Sequence, residues 1–177
     1  MTENKVEILP LVPEDHKLIT TKLDAFNFDK DDAVKLEDTL INCMNFYKGI
    51  GLCANQIGIN ARVFAMIHEE QPIVMFNPKV IAVTDEKILA NEGCLTYFGL
   101  YPKILRSQGV TINWYDKEEQ QFSGSFIDLS ARIILHEYDH LNGYTFFDRV
   151  KPYYMQLARQ KRKIYIRKAK RQEKKLT

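Results

Sequence analysis

The sequence predicts an α+β fold in which antiparallel strands pack around a central helix bearing His136-Glu137-Tyr138-Asp139-His140, with a basic helix at the C-terminus. Three observations carry this expectation. Short apolar runs bounded by turn residues follow one another instead of alternating with helical segments, which opposes a parallel sheet. An amphipathic segment ending near Asn142 holds two histidines four residues apart. Beyond Pro152, lysine and arginine crowd a segment of helical composition.

The elements follow in order. Residues up to about Phe28, with Pro10 and Pro13, read as an extended arm. Asp29 to Lys48 reads as the first helix: acids crowd its start, Leu36, Leu40, Cys43 and Tyr47 form a stripe, and Gly49 stops it. Val63 to Ile67 and Ile73 to Phe76 read as strands, followed by a turn at Asn77-Pro78. Lys79 to Thr84 and Lys87 to Ala90 suggest a further strand pair. Val110 to Tyr115 and Gln121 to Ile127 bracket Asp116-Lys117-Glu118-Glu119 as a hairpin. The second helix starts from an N-cap at Asp128 or Ser130 and ends before Gly143. A short strand, Tyr144 to Phe147, precedes the final helix.

Composition narrows the class. Hydrophobic residues at 45% and charged residues at 27% suit a single domain with a real core. No apolar run approaches the ~20 residues that span a bilayer, and Met1 to Lys5 lacks a signal-peptide pattern. A cytoplasmic protein is therefore expected, with no membrane partner. Three widely spaced cysteines, Cys43, Cys53 and Cys94, argue against a disulfide framework, and the lack of a Cys-x-x-Cys pair argues against a zinc ribbon. The net charge of +2 conceals an asymmetry: residues 151–177 carry +10 and the rest −8. We therefore expect a catalytic domain over 1–150 and a basic helical extension over 151–177.

His136 and His140 share a helix face one turn apart, so both imidazoles can reach one ion, and Glu137 can act on a metal-activated water. A catalytic metal ordinarily takes a third protein ligand. A metzincin-type histidine would fall at Phe146, and the only downstream glutamate is Glu173, so the ligand must come from upstream. Among His16, His68 and the cysteines, Cys94 is the best candidate, because it follows a predicted strand and Gly93 permits close backbone approach. Cys43 lies on the apolar helix stripe and reads as core. The segment Gly49-Ile50-Gly51-Leu52-Cys53-Ala54-Asn55-Gln56 offers an extended backbone that can pass close to a ligand, with Gln56 as a donor to an oxyanion.

GIGLCANQ, EGCLT and HEYDH, in this order, resemble the three motifs of the peptide deformylase family, and Arg106 stands where that family usually has an arginine. The resemblance covers roughly residues 30–150. It implies removal of the N-formyl group from the N-terminal methionine of new polypeptides, with release of formate. It further implies a metal held by Cys94, His136 and His140, Glu137 as general base, and an oxyanion met by Gln56 and the Leu95 N–H. Ile50, Leu95 and Ile133 are expected to line the methionine pocket, beside Gly49 and Gly51, with Arg132 at its mouth near the peptide backbone. Mixed His and Cys ligation alone suggests zinc; the resemblance implies ferrous iron (Fe2+), with Zn2+ or Ni2+ as surrogates. The basic extension resembles the helix by which bacterial deformylases reach the ribosome, and its removal from Lys161 onward is expected to weaken salt-sensitive ribosome association and leave peptide turnover largely intact. Two other readings are weighed: an HExxH metallopeptidase, and a ribosome- or RNA-binding protein with a vestigial metal site.

Overall fold

The computed structural model describes residues 8–176, with side chains described as far as residue 168. Helix α1 (Ala33–Phe46) begins later than its acids suggest. Asp29 to Asp31 form a turn on the Asn27 carbonyl, and Asp32 caps the helix by accepting from the Lys35 N–H at 2.9 Å. Its end also differs from expectation: Lys48, not Gly49, takes the left-handed conformation, at φ 56°. Strand β1 (Gly51–Cys53) leads into a 3-10 turn at Ala54–Ile57, followed by β2 (Val63–His68) and the long β3 (Gln71–Val83).

Asn77-Pro78 does not turn the chain. It is an irregularity inside β3, with Asn77 at φ 47° and its side-chain amide paired to both backbone groups of Phe26. Residues 79–83 therefore continue β3 and pair with β6 (Gly109–Tyr115). The expected pairing of this segment with Lys87 to Ala90 is not formed. Instead β4 (Lys87–Asn91) pairs with β5 (Lys103–Ser107) as a separate two-stranded sheet. The hairpin of β6 and β7 (Gln121–Ile127) forms as expected, giving a five-stranded antiparallel sheet in the order β1-β2-β3-β6-β7.

Helix α2 (Asp128–Leu141) packs on one face of this sheet and α1 on the other. Leu52, Val63 and Ala65 meet α1, whereas Cys53, Phe64 and Met66 lie in the cluster with Ala131, Ile133 and Ile134 of α2. That alternation with period two explains why β2 reads as a continuous apolar run: both of its faces are covered. Neither expected cap serves α2. Asp128 accepts from the Gln108 side chain, and Ser130 bonds His68 at 2.9 Å. Gly143, at φ 76°, ends the helix region as expected.

Tyr144 to Phe147 is not a strand. Thr145 accepts from the Phe147 N–H, and Asp148 accepts from the Thr145 N–H at 2.8 Å, so capping closes a 3-10 turn at Phe146–Asp148. The last helix, α3 (Pro152–Leu176), is not detached. Met155 and Ala158 are buried with Tyr97, Leu100, Ile104 and Phe146 in a third core cluster.

Candidate metal centre and active site

Helix α2 delivers both histidines from one face, with ring centroids 5.1 Å apart. Cys94 arrives on the loop between β4 and β5, whose base is closed by the Glu92 N–H bonding the Pro102 carbonyl at 2.9 Å. The Cys94 Sγ lies 3.3 Å from His140 Nε2, and one donor atom from each of Cys94, His136 and His140 falls within 4.8 Å of the others. Among the described residues this is the only such group of three. His16 instead caps an exposed turn, and His68 pairs with Ser130, so neither joins the cluster. Cys43 is fully buried against the arm, where its Sγ accepts from the Leu9 N–H.

The donor set fits a divalent transition metal. Burial opposes ionisation of the Cys94 thiol, but the charge and hydrogen bonds of His140 and His136 outweigh it and hold the thiol well below its usual range. A thiolate is the form that ligates. His136 Nδ1 lies 3.1 Å from Glu92 Oε2, which leaves Nε2 to face the cluster. A carboxylate behind a ligating histidine fixes its tautomer and ring orientation.

Glu92 is the hub of this support. It accepts from Arg106 Nε and Nη2 at 2.7 and 2.9 Å, and from Arg132 Nη1 at 2.6 Å. Arg106 continues to Asp139 at 2.7 Å, and Arg149 closes on both Asp139 oxygens. Burial alone would raise the Glu92 carboxyl, yet His136 and Arg106 override it and hold it at about 2. Glu92 is thus an anion throughout the physiological range, tying the Cys94 loop to the histidine helix.

Glu137 has the opposite environment. Burial pushes its carboxyl up to about 7, only partly countered by His136 and His140, and Oε2 has no partner among the described residues. A carboxylate poised near neutral pH suits proton transfer. Its neighbour Gly51 explains one motif position, since a Cβ there would overlap Glu137 Oε1 and come within 2.9 Å of Ile133 Cγ2. At Gly49 a Cβ would sit 2.8 Å from Leu95 Cδ1, so the Leu95 side chain would have to move. At Gly93 the Tyr101 ring lies where a Cβ would project.

Gln56 is buried, with Oε1 accepting from the Cys53 N–H at 2.8 Å. That bond aims Nε2 at Thr96 Oγ1, 3.2 Å away, and at Cys94 Sγ, 3.4 Å away. No acceptor among the described residues takes the Leu95 N–H. A cavity of about 580 Å³ opens onto the cluster, lined by Gly49, Ile50, Gly51, Gln56, Cys94, Leu95, Arg132, Ile133, His136 and Glu137. Arg132 borders it but spends Nη1 and Nη2 on Glu92 and the carbonyls of Ile104 and Ile88. Tyr47, read from the sequence only as part of the first helix's stripe, lines the cavity, as do the loop residues Phe98 and Tyr101, which the sequence did not single out. Their signal is weak, because exposed aromatics in a loop resemble ordinary surface.

A family model described as polypeptide deformylase matches residues 8–156. The chain belongs to the polypeptide deformylase family. The peptide deformylase of Pseudothermotoga lettingae is 38% identical over 120 residues, covering 68% of this chain and 70% of that protein. The peptide deformylase of Thermotoga maritima is 32% identical over 141 residues, covering 80% and 86%. A plant peptide deformylase crystal structure superposes with a TM-score of 0.81 at 31% identity, covering 93% of this chain and 92% of that one. The family is one of enzymes, and the group formed by Cys94, His136 and His140 agrees with a metal-dependent one. No described helix is long and apolar enough to cross a membrane.

Proposed function

We propose that the chain removes the N-formyl group from the N-terminal methionine of new polypeptides, releasing formate, with Cys94, His136 and His140 holding ferrous iron. The observation that carries the reading is one cavity lined by Cys94, His136 and Glu137, where the first two form a metal-type donor group with His140 and the buried Glu137 carboxylate has an oxygen unpartnered among the described residues. When bound, the ion supplies Lewis-acid polarisation of the formyl carbonyl and of a water molecule. Glu137 takes a proton from that water on its carboxylate oxygen and returns it to the leaving nitrogen. Gln56 Nε2 and the Leu95 N–H donate to the developing oxyanion. Ile133 and Leu95 supply an apolar pocket for methionine, with Ile50 at its open rim. β1 is an edge strand among the described residues, so its open side, which begins at Gly51, offers a peptide an unpaired strand edge. Arg132 serves this site by fixing Glu92 instead of by binding the peptide.

Incubation of the iron-loaded enzyme with formyl-Met-Ala peptides is expected to yield formate and free amine in equal amounts. Cleavage of an internal peptide bond would favour the metallopeptidase reading, and no product would favour a vestigial site. Iron is expected to support faster turnover than zinc or nickel in the same apoprotein.

The setting we propose is cytoplasmic, with the basic helix meeting ribosomal RNA. Lys161, Lys163, Arg167 and Lys168 are exposed on α3. Reversing these four to glutamate is expected to abolish salt-sensitive ribosome co-sedimentation, since counterion release scales with the number of phosphates neutralised. Unchanged co-sedimentation would leave α3 a solvated helix.

A further inference from the structure

One stripe of α3 reaches the cavity wall. Met155, Ala158, Arg162 and Tyr165 recur at helical spacing, and the first two are buried in the core. Two turns further on, the stripe lies over the loop that follows Cys94. A Cβ at Gly99 would sit 3.6 Å from Arg162 Cγ and 3.7 Å from Tyr165 Cδ1. Gly99 itself turns at φ 75°, a conformation that side chains rarely adopt. The Phe98 ring meets Tyr165 edge-on, with centroids 6.1 Å apart at 61°.

The same stripe also holds the arm. Arg162 Nη2 donates to Glu14 Oε1 at 2.6 Å, and two residues earlier the Val12 N–H bonds the Gln56 carbonyl at 2.9 Å. Leu11, Phe98 and Gly99 all line the cavity, whereas none of its lining residues belongs to α3. Phe98 is 66% exposed, so the body of the protein fixes its ring only weakly and Tyr165 is its aromatic partner.

We infer that Arg162 and Tyr165 are positioning residues for the substrate: through Glu14 and Phe98–Gly99 they set two walls of the cavity. The helix that presents the outward basic face therefore also backs the active-site wall from behind. On this inference, the expectation that removal from Lys161 onward leaves turnover largely intact applies to kcat and not to KM. This inference rests on the proposed deformylase reading for its kinetic test, and its second readout is independent of that reading.

Tyr165 is 54% exposed, so its replacement leaves the core intact. Tyr165→Ala is expected to raise KM for formyl-Met-Ala-Ser about threefold to tenfold, the scale of one aromatic contact, while kcat changes less than about twofold. Tyr165→Phe should restore KM. In a double-mutant cycle, Tyr165→Ala should add nothing once Phe98→Ala is present. Backbone amides of residues 96–101 should also exchange faster in metal-free Tyr165→Ala than in the metal-free parent. An unchanged KM with unchanged exchange, or full additivity with Phe98→Ala, would overturn the inference. If the parent itself releases no formate, the deformylase reading fails, and the exchange rates still decide whether α3 holds the wall.

Discussion

Glu137→Gln is expected to keep its metal and lose turnover by about 10²–10⁴-fold, the usual contribution of a positioned general base. The substitution preserves shape and removes only the capacity to accept a proton. The carboxylate is well placed for the role: it is buried beside two candidate ligands, its Oε2 is unpartnered among the described residues, and Gly51 leaves the space that Oε1 occupies. Glu137 is not one of the three donors, so metal content measured by elemental analysis should equal the parent's. Cys94→Ala supplies the contrast, because removing one of three protein ligands should empty the site. Equal metal loss in the two variants would mean that Glu137 is a ligand and the base has been misassigned.

Glu92→Gln is expected to damage both the metal site and the fold. Loss of a carboxylate behind a ligating histidine commonly costs 10–100-fold in metal affinity, and about that loss is expected here by competition with a chelator. Stability should suffer as well. Arg106 keeps Asp139, but Arg132 loses its only carboxylate among the described residues while nearly buried. Breaking a buried pair from one side typically costs about 3–5 kcal/mol, measurable by urea denaturation of chelated protein. The pH dependence carries a sign. The Glu92 carboxyl lies near 4.5 when unperturbed and at about 2 in the fold. Its contribution is therefore fully present above pH 4.5 and is lost as pH falls through about 2. By linkage this is on the order of 3 kcal/mol. Parent protein should lose stability across that acid window more steeply than Glu92→Gln. Parallel curves would show that the carboxylate is not held as the geometry indicates.

The reading of α2 from sequence succeeded because periodicity and chemistry coincide there. The spacing of His136 and His140 is at once a helix repeat and a ligand spacing, and the structure puts both beside Cys94. The strand pairing of Lys87 to Ala90 was not legible. Its true partner, β5, carries Arg106 at an inward position, and a buried charge in sequence looks like an exposed one. Only the third dimension reveals that Glu92 and Asp139 neutralise it. Asn77-Pro78 has turn chemistry, yet Phe26 supplies backbone partners that let β3 run through it. Gly93 illustrates a subtler limit. The glycine itself was visible, but its contact with the Tyr101 ring, eight residues away, carries no spacing signal. The contact between Tyr165 and Phe98 is invisible for the same reason, and a basic run reads most simply as a solvated appendage.

The most direct test of a one-metal hydrolase is a titration of chelated protein with ferrous iron under anaerobic conditions, following formate release from formyl-Met-Ala. Turnover should be negligible without iron, rise in proportion to iron added, and level off at one ion per chain. Formate release that persists after chelation, or none at any iron concentration, would contradict the account.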